Sequence, residues 1–118
     1  MSSTVRNLRR RGSESLTSLA AQLIERAEDQ FAAPEIVVNN VERCGDIEVL
    51  LLVMEKYYMR NGSMAALTIQ CVSNGAMQTA TVVGTGGGQG IFNIDWWANA
   101  SFADKTCAYL EDMGFSEY

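Results

Sequence analysis

Residues 47–83 read IEVLLLVMEKYYMRNGSMAALTIQCVSNGAMQTATVV, and this stretch decides the fold. Three runs rich in Val, Leu, Ile, Thr and Tyr are separated by Asn61-Gly62 and Asn74-Gly75. An Asn-Gly pair between apolar runs is the strongest short-range hairpin signal. A type I′ turn needs positive φ at both central residues, and Asn and Gly tolerate that best. Strands are therefore expected over Ile47 to Arg60, Met64 to Val72 and Met77 to Val83, as an antiparallel meander. In the first of them Ile47, Val49, Leu51 and Val53 share one face, and Leu50, Leu52 and Met54 share the other. A sheet with one wet face alternates more cleanly. Both faces of this strand are thus expected to be covered near its middle. The second cover is the N-terminal arm, a helix or another subunit.

Upstream, Ile36 to Arg43 reads as one more strand, with Gly45-Asp46 as its turn into the meander. Before Pro34, the residues Leu16, Leu19, Ala20, Leu23, Ile24 and Ala27 recur with helical spacing and form one apolar stripe. Ser13 suits an N-cap, Glu14 suits the positive end of the helix dipole, and the helix should end near Gln30. Thr4 to Arg10 is a weaker candidate, an edge strand. Downstream, Phe102, Thr106, Tyr109, Leu110 and Met113 mark the inner face of a last helix. It would be capped by Asn99 or Ser101, and Gly114 occupies the C-cap position. The expected order is β-α-β-β-β-β-α. This is an α+β fold, a curved antiparallel sheet of four to five strands with both helices on one face, TATA-binding-protein-like or helix-grip-like. Fold alone carries no function.

The chain has 118 residues, enough for a single domain over residues 1–118 with one core. No apolar run approaches the roughly 20 residues of a spanning helix, so no membrane partner is expected. Cys44, Cys71 and Cys107 are odd in number and lack CxxC spacing. They read as reduced thiols in a cytoplasmic protein, and neither a disulfide framework nor a metal site is expected. Net charge is −5, yet Arg6, Arg9, Arg10 and Arg11 crowd into the first thirteen residues with no acid among them. A basic arm on an acidic body can serve an anionic partner. It can equally be an exposed first strand with solvated arginines. Without a wider basic surface, nucleic-acid binding is not expected.

The second stretch of interest is Val82 to Trp97, VVGTGGGQGIFNIDWW, with five glycines within seven residues. It is not a P-loop, because no Lys follows a Gly. It is not a dinucleotide fingerprint either, because the sixth position counted from Gly84 is Gln89 and from Gly86 is Ile91. Consecutive glycine amides can still form an anion-binding concavity. The competing reading is a sharp twist off the last strand and close passage along packed backbone. Ile91 to Asp95 alternates apolar and polar residues, as a short extra strand would. Phe92, Trp96 and Trp97 are large groups that suit a pocket wall, a core cap or a subunit contact.

With no histidine in the chain, Ser-His-Asp and Cys-His catalysis and histidine metal sites are excluded. Asp95 beside the glycines is the one acid in a candidate cleft. In EKYY, Glu55 and Tyr57 fall on one strand face and Lys56 and Tyr58 on the other, where cross-strand pairing is the simplest role.

Taken together, EKYYMRNGSMAALTI, GTGGGQGIFNIDWW and the ASFAD helix start resemble a small family of uncharacterised bacterial proteins, a domain of unknown function. That family shares an EKYY hairpin, a TGxxQG-type loop, an FNxDW-type segment and a final helix. The resemblance covers Glu55 to Leu110. It implies a bacterial, cytosolic setting and no activity, and it does not include the arginine-rich start.

Two readings of function compete. In the first, the protein is a binding module whose small anionic ligand sits near Gly86, Gly87, Gly88, Gln89, Gly90, Phe92, Asp95 and Trp96. In the second, it is a homo-oligomeric structural or protein-interaction domain without catalysis, a homodimer with Leu50, Leu52, Met54 and Trp97 at the contact. A third, an enzyme with Asp95 as general acid or base, is the weakest. No cofactor is expected.

Overall fold

The computed structural model describes residues 2–30, 33–58, 62–88 and 94–118. In chain order the elements are β1 (Ser2–Arg11), α1 (Leu16–Glu28), β2 (Glu35–Cys44), β3 (Ile47–Tyr58), β4 (Ser63–Ser73), β5 (Met77–Gly88), α2 (Ile94–Asp112) and β6 (Ser116–Glu117). The six strands form one antiparallel sheet in the order β2-β3-β4-β5-β1-β6. The meander gives β2 to β5 their neighbours. The expected weak edge strand is a full ten-residue strand, and it lies inside the sheet between β5 and β6. The strand count therefore rises from the expected four or five to six. The added one is the two-residue β6, too short to carry any periodicity.

Helix α1 buries Leu16, Leu19, Ala20, Leu23 and Ala27, the apolar stripe read from the sequence. Its cap is Ser15, not Ser13. Ser15 is extended at φ −65° and ψ 146°, and its hydroxyl accepts from the Ser18 amide at 3.1 Å. Helix α2 begins at Ile94, well before the expected caps Asn99 and Ser101, and it replaces the second half of the strand expected over Ile91 to Asp95. No Gly or Pro lies between Gly90 and Phe102 to stop a helix from extending towards the N-terminus. The end of α2 is as expected. Gly114 at φ +100° lets the Phe115 amide reach Leu110 O and its own amide reach Glu111 O, both at 3.0 Å. This is a Schellman motif, closed by the buried pair Leu110 and Phe115.

The Asn74-Gly75 turn works differently from expectation, and Asn61 lies outside the described residues. Gly62 and Gly75 have positive φ, but no non-glycine residue among those described does. Asn74 is therefore not the first residue of a type I′ turn. Its Oδ1 instead accepts from the amides of Ala76 and Met77, at 3.0 and 2.8 Å, as an Asx turn. Tyr58 pairs with Ser63, so the β3–β4 connection holds four residues.

Both helices pack on one face of the sheet, here the inner face. It presents Leu8, Leu50, Leu52, Leu67, Ile69 and Val82 to Leu16, Leu19, Leu23, Phe102 and Leu110 in one hydrophobic cluster. Each such Leu, Ile or Phe, fully buried, contributes roughly 1.5–3 kcal/mol relative to exposure.

Candidate functional site

The glycine-rich segment is the first place to look, and its backbone is already engaged. Gly84 to Gly88 continue β5. Gly86 lies opposite Ser2 of β1 and Ala65 of β4, and Gly87 and Gly88 lie opposite Met64 and Ser63. Strand backbone spends its amides on the ladder and lacks the alternating conformation of an anion-binding nest. Gly84 and Gly86 are buried on the inner face, where α2 packs over β5, β1 and β4. The expectation of an anion-binding concavity at Gly86, Gly87 and Gly88 is thus corrected to a strand. Gln89, Gly90 and Phe92 lie outside the described residues. Asp95, Trp96 and Trp97 belong to the first turn of α2, not to a strand or loop; their side chains are outside the description.

The expected contact residues Leu50, Leu52 and Met54 are 0–1% exposed beneath the chain's own helices. Their burial needs no second subunit, so that part of the interface reading is corrected. The face left over is the other one. Ile47, Val49, Leu51 and Val53 point away from both helices, and no described side chain on this outer face is buried. Leu51 is 38% exposed and Val5 57%.

The strand register shows how this outer face is composed. Val38 pairs with Val53, Val53 with Thr68, Thr68 with Val83, and Val83 with Val5. One row of β-branched side chains therefore crosses five strands. The row beside it is Asn40, Leu51, Gln70, Thr81 and Asn7, and the next is Glu42, Val49, Val72, Thr79 and Arg9. Of these fifteen residues seven are Val or Leu, and none of the fifteen is buried.

The arginines of β1 divide by the same parity. Arg6 and Arg10 turn inward. Arg6 pairs with Glu117 of β6 and Asp104 of α2. The Glu117 hydrogen bond, opposed in part by burial, raises the guanidinium's already high pKa. Arg10 donates to Gln78 Oε1 at 2.8 Å, Met113 O at 2.7 Å and Glu14 Oε1 at 3.0 Å, and it stacks on Phe115 at 4.6 Å. Gln78 donates on to Glu14 O at 2.6 Å. These two arginines tie elements together. A groove of about 410 Å³ beside them is lined in part by Arg10, Glu14, Arg26 and Asp112, and these four form two ion pairs. Arg9 and Arg11 point outward, Arg9 over the Tyr118 ring at 4.7 Å.

A second inward polar group is Lys56, buried beside Leu50, Leu52 and Met54 on the inner face of β3. Its ammonium donates to Gln30 Oε1 and sits 4.7 Å from the Phe102 ring centre. Gln30 in turn donates to the Tyr109 hydroxyl at 3.0 Å. Burial, and then the charge of Lys105, push the Lys56 pKa down. The sequence carried a signal for this position, because 56 shares parity with 50, 52 and 54. Lys56 does lie opposite Ala65 on β4, and its burial and its contacts with Gln30 and Phe102 go beyond the cross-strand expectation.

The fold and its surface define an α+β sheet protein, closed by helices on one side and open on the other. The chain belongs to a family of unknown function, DUF6054, whose model matches residues 2–114. No curated protein and no solved structure matches it. Among the described residues no helix is long and apolar enough to cross a membrane.

Proposed function

We propose that this protein is a homo-oligomeric interaction domain without catalysis, and that it assembles through the outer face of its sheet. The observation that carries this reading is the row Val38–Val53–Thr68–Val83–Val5, apolar or β-branched on every strand and covered by neither helix. The ladder pairing of Gly84 to Gly88 removes the main support of the ligand-binding alternative. The strand order, with β1 beside β5 and both helices on one face, supports a TATA-binding-protein-like or helix-grip-like fold and a single domain over residues 1–118. Three free cysteines, two of them buried, support a reducing, cytoplasmic setting.

The double variant Val53→Lys, Val83→Lys tests the reading by putting two charges at the centre of the row. Sedimentation equilibrium should give an oligomer for the wild type and a monomer for the variant. The variant monomer should still unfold cooperatively, because neither side chain belongs to the inner core. An oligomer that survives both substitutions contradicts the proposal.

A further inference from the structure

We infer that the partner on the outer face is a second copy of this chain, docked about a two-fold axis running along β4, with Arg9 of each copy facing Glu42 of the other. This rests on the proposed role of the outer face and adds the geometry of the contact. Strand β4 is the third of the five long strands β2-β3-β4-β5-β1. A two-fold axis lying along it, between two facing sheets, places β2 of one copy over β1 of the other and β3 over β5.

The rows then match themselves. Val38 meets Val5, Val53 meets Val83, and Thr68 meets its own counterpart. In the next row Leu51 meets Thr81, Asn40 meets Asn7, and Gln70 meets Gln70. In the third, Val49 meets Thr79 and Val72 meets Val72, while the acidic end meets the basic end, Glu42 against Arg9. One row further on, Arg11, paired with Met77, comes opposite Cys44, paired with Ile47. Val38–Val5, Val53–Val83 and Val72–Val72 are thus apolar on both sides, and the outward Arg9 faces the outward Glu42. Glu55 meets Thr85, a neutral group.

The alternative two-fold, across the strands, stacks β2 on β2 and β1 on β1. Glu42 on β2 and Arg9 on β1 then never face each other, and that charge complementarity is lost. Packed sheets cross at about 30°, so β4 would lie about 15° from the axis. Two strand spacings from β4, or about 9.6 Å, that angle displaces facing rows by about 5 Å, within the reach of an arginine. The face is about 24 Å across five strands and about 27 Å along eight residues, roughly 650 Å² per copy. Two such faces reach the lower part of the range for stable complexes, about 1,200–2,000 Å² in total.

Charge reversal tests the arrangement. Arg9→Glu or Glu42→Arg alone makes two symmetric contacts repulsive, and the dimer should weaken roughly tenfold. The double variant Arg9→Glu, Glu42→Arg exchanges the two charges and should restore dimer affinity to within about twofold of the wild type. A double variant as weak as the sum of the singles, or singles without effect, overturns the inferred axis. If Val53→Lys with Val83→Lys still abolishes the dimer in that case, the outer face remains the contact and only the geometry fails. A wild-type monomer, or a dimer that survives the valine substitutions, removes the broader reading and this inference together.

Discussion

Arg10 on β1 donates from Nε to Oε1 of Gln78 on β5 at 2.8 Å, and Gln78 has no exposed surface. The same guanidinium reaches Met113 O at the end of α2 and Glu14 ahead of α1. One side chain thus joins the sheet to the end of α2 and the start of α1, and of the groups it touches Gln78 is fully buried. Arg10→Leu leaves Gln78 Oε1 without this donor in the interior. We expect a loss of roughly 2–4 kcal/mol in urea unfolding. Arg11→Ala, one ladder pair from Gln78 but on the outer face, should cost less than about 0.5 kcal/mol. Equal effects would show that Arg10 is not a structural anchor.

Acid should loosen the same region. Hydrogen bonds from Ser18, Arg10 and Gln22 hold the Glu14 carboxyl below its ordinary value, and Arg6 does the same for Glu117. For a carboxyl depressed in the folded state, the contribution is fully present above the unfolded pKa, about 4.3. It is lost as pH falls through the folded value. The thermal midpoint should therefore fall as pH drops from 5 towards 3, and Glu14→Gln should flatten that fall. A variant whose acid slope equals that of the wild type would exclude Glu14 as a contributor.

The three thiols should react unequally. Cys44 is exposed on the outer face, whereas burial pushes the Cys71 thiol up to about 12 and that of Cys107 to about 11. Thiolate is the reacting form. Iodoacetamide at pH 8 should label Cys44, at the margin of the proposed contact, ahead of Cys71 and Cys107 in the native protein, and all three cysteines in urea. Rapid native labelling of Cys107 would mean that α2 does not stay on the sheet.

Gly84 separates a packing role from a binding role. It is buried on the inner face of β5, the strand that α2 contacts. Gly84→Leu should overpack that contact and cost roughly 1–3 kcal/mol, read as a lower thermal midpoint. An unchanged midpoint would mean that glycine is needed there for something other than the approach of the helix.

Much of this architecture was legible because its signals were local and repeated. The stripe from Leu16 to Ala27, the meander from Ile47 to Val83 and the Gly114 stop each combine periodicity with a terminating residue. The start of α2 was not legible, because a five-residue alternation at Ile91 to Asp95 fits a strand as well as a helix. Gly84 to Gly88 were misread because glycine permits a loop without requiring one; here β1 and β4 flank it and hold it in the sheet. Of the candidate site, the two apolar faces of β3 were visible in the sequence. Which face the helices would take was not, since Leu50 and Leu51 differ only in parity. The outward and inward arginines of β1 follow the same parity, and that became readable only with the β1–β5 register.

A native mass spectrum of the freshly purified protein bears most directly on the proposal that the open sheet face closes on a second copy. The account predicts a species at twice the 12.9 kDa chain mass with no additional mass retained. A bare 12.9 kDa monomer at micromolar concentration would contradict it, and a monomer carrying a retained small molecule would return the argument to a ligand site.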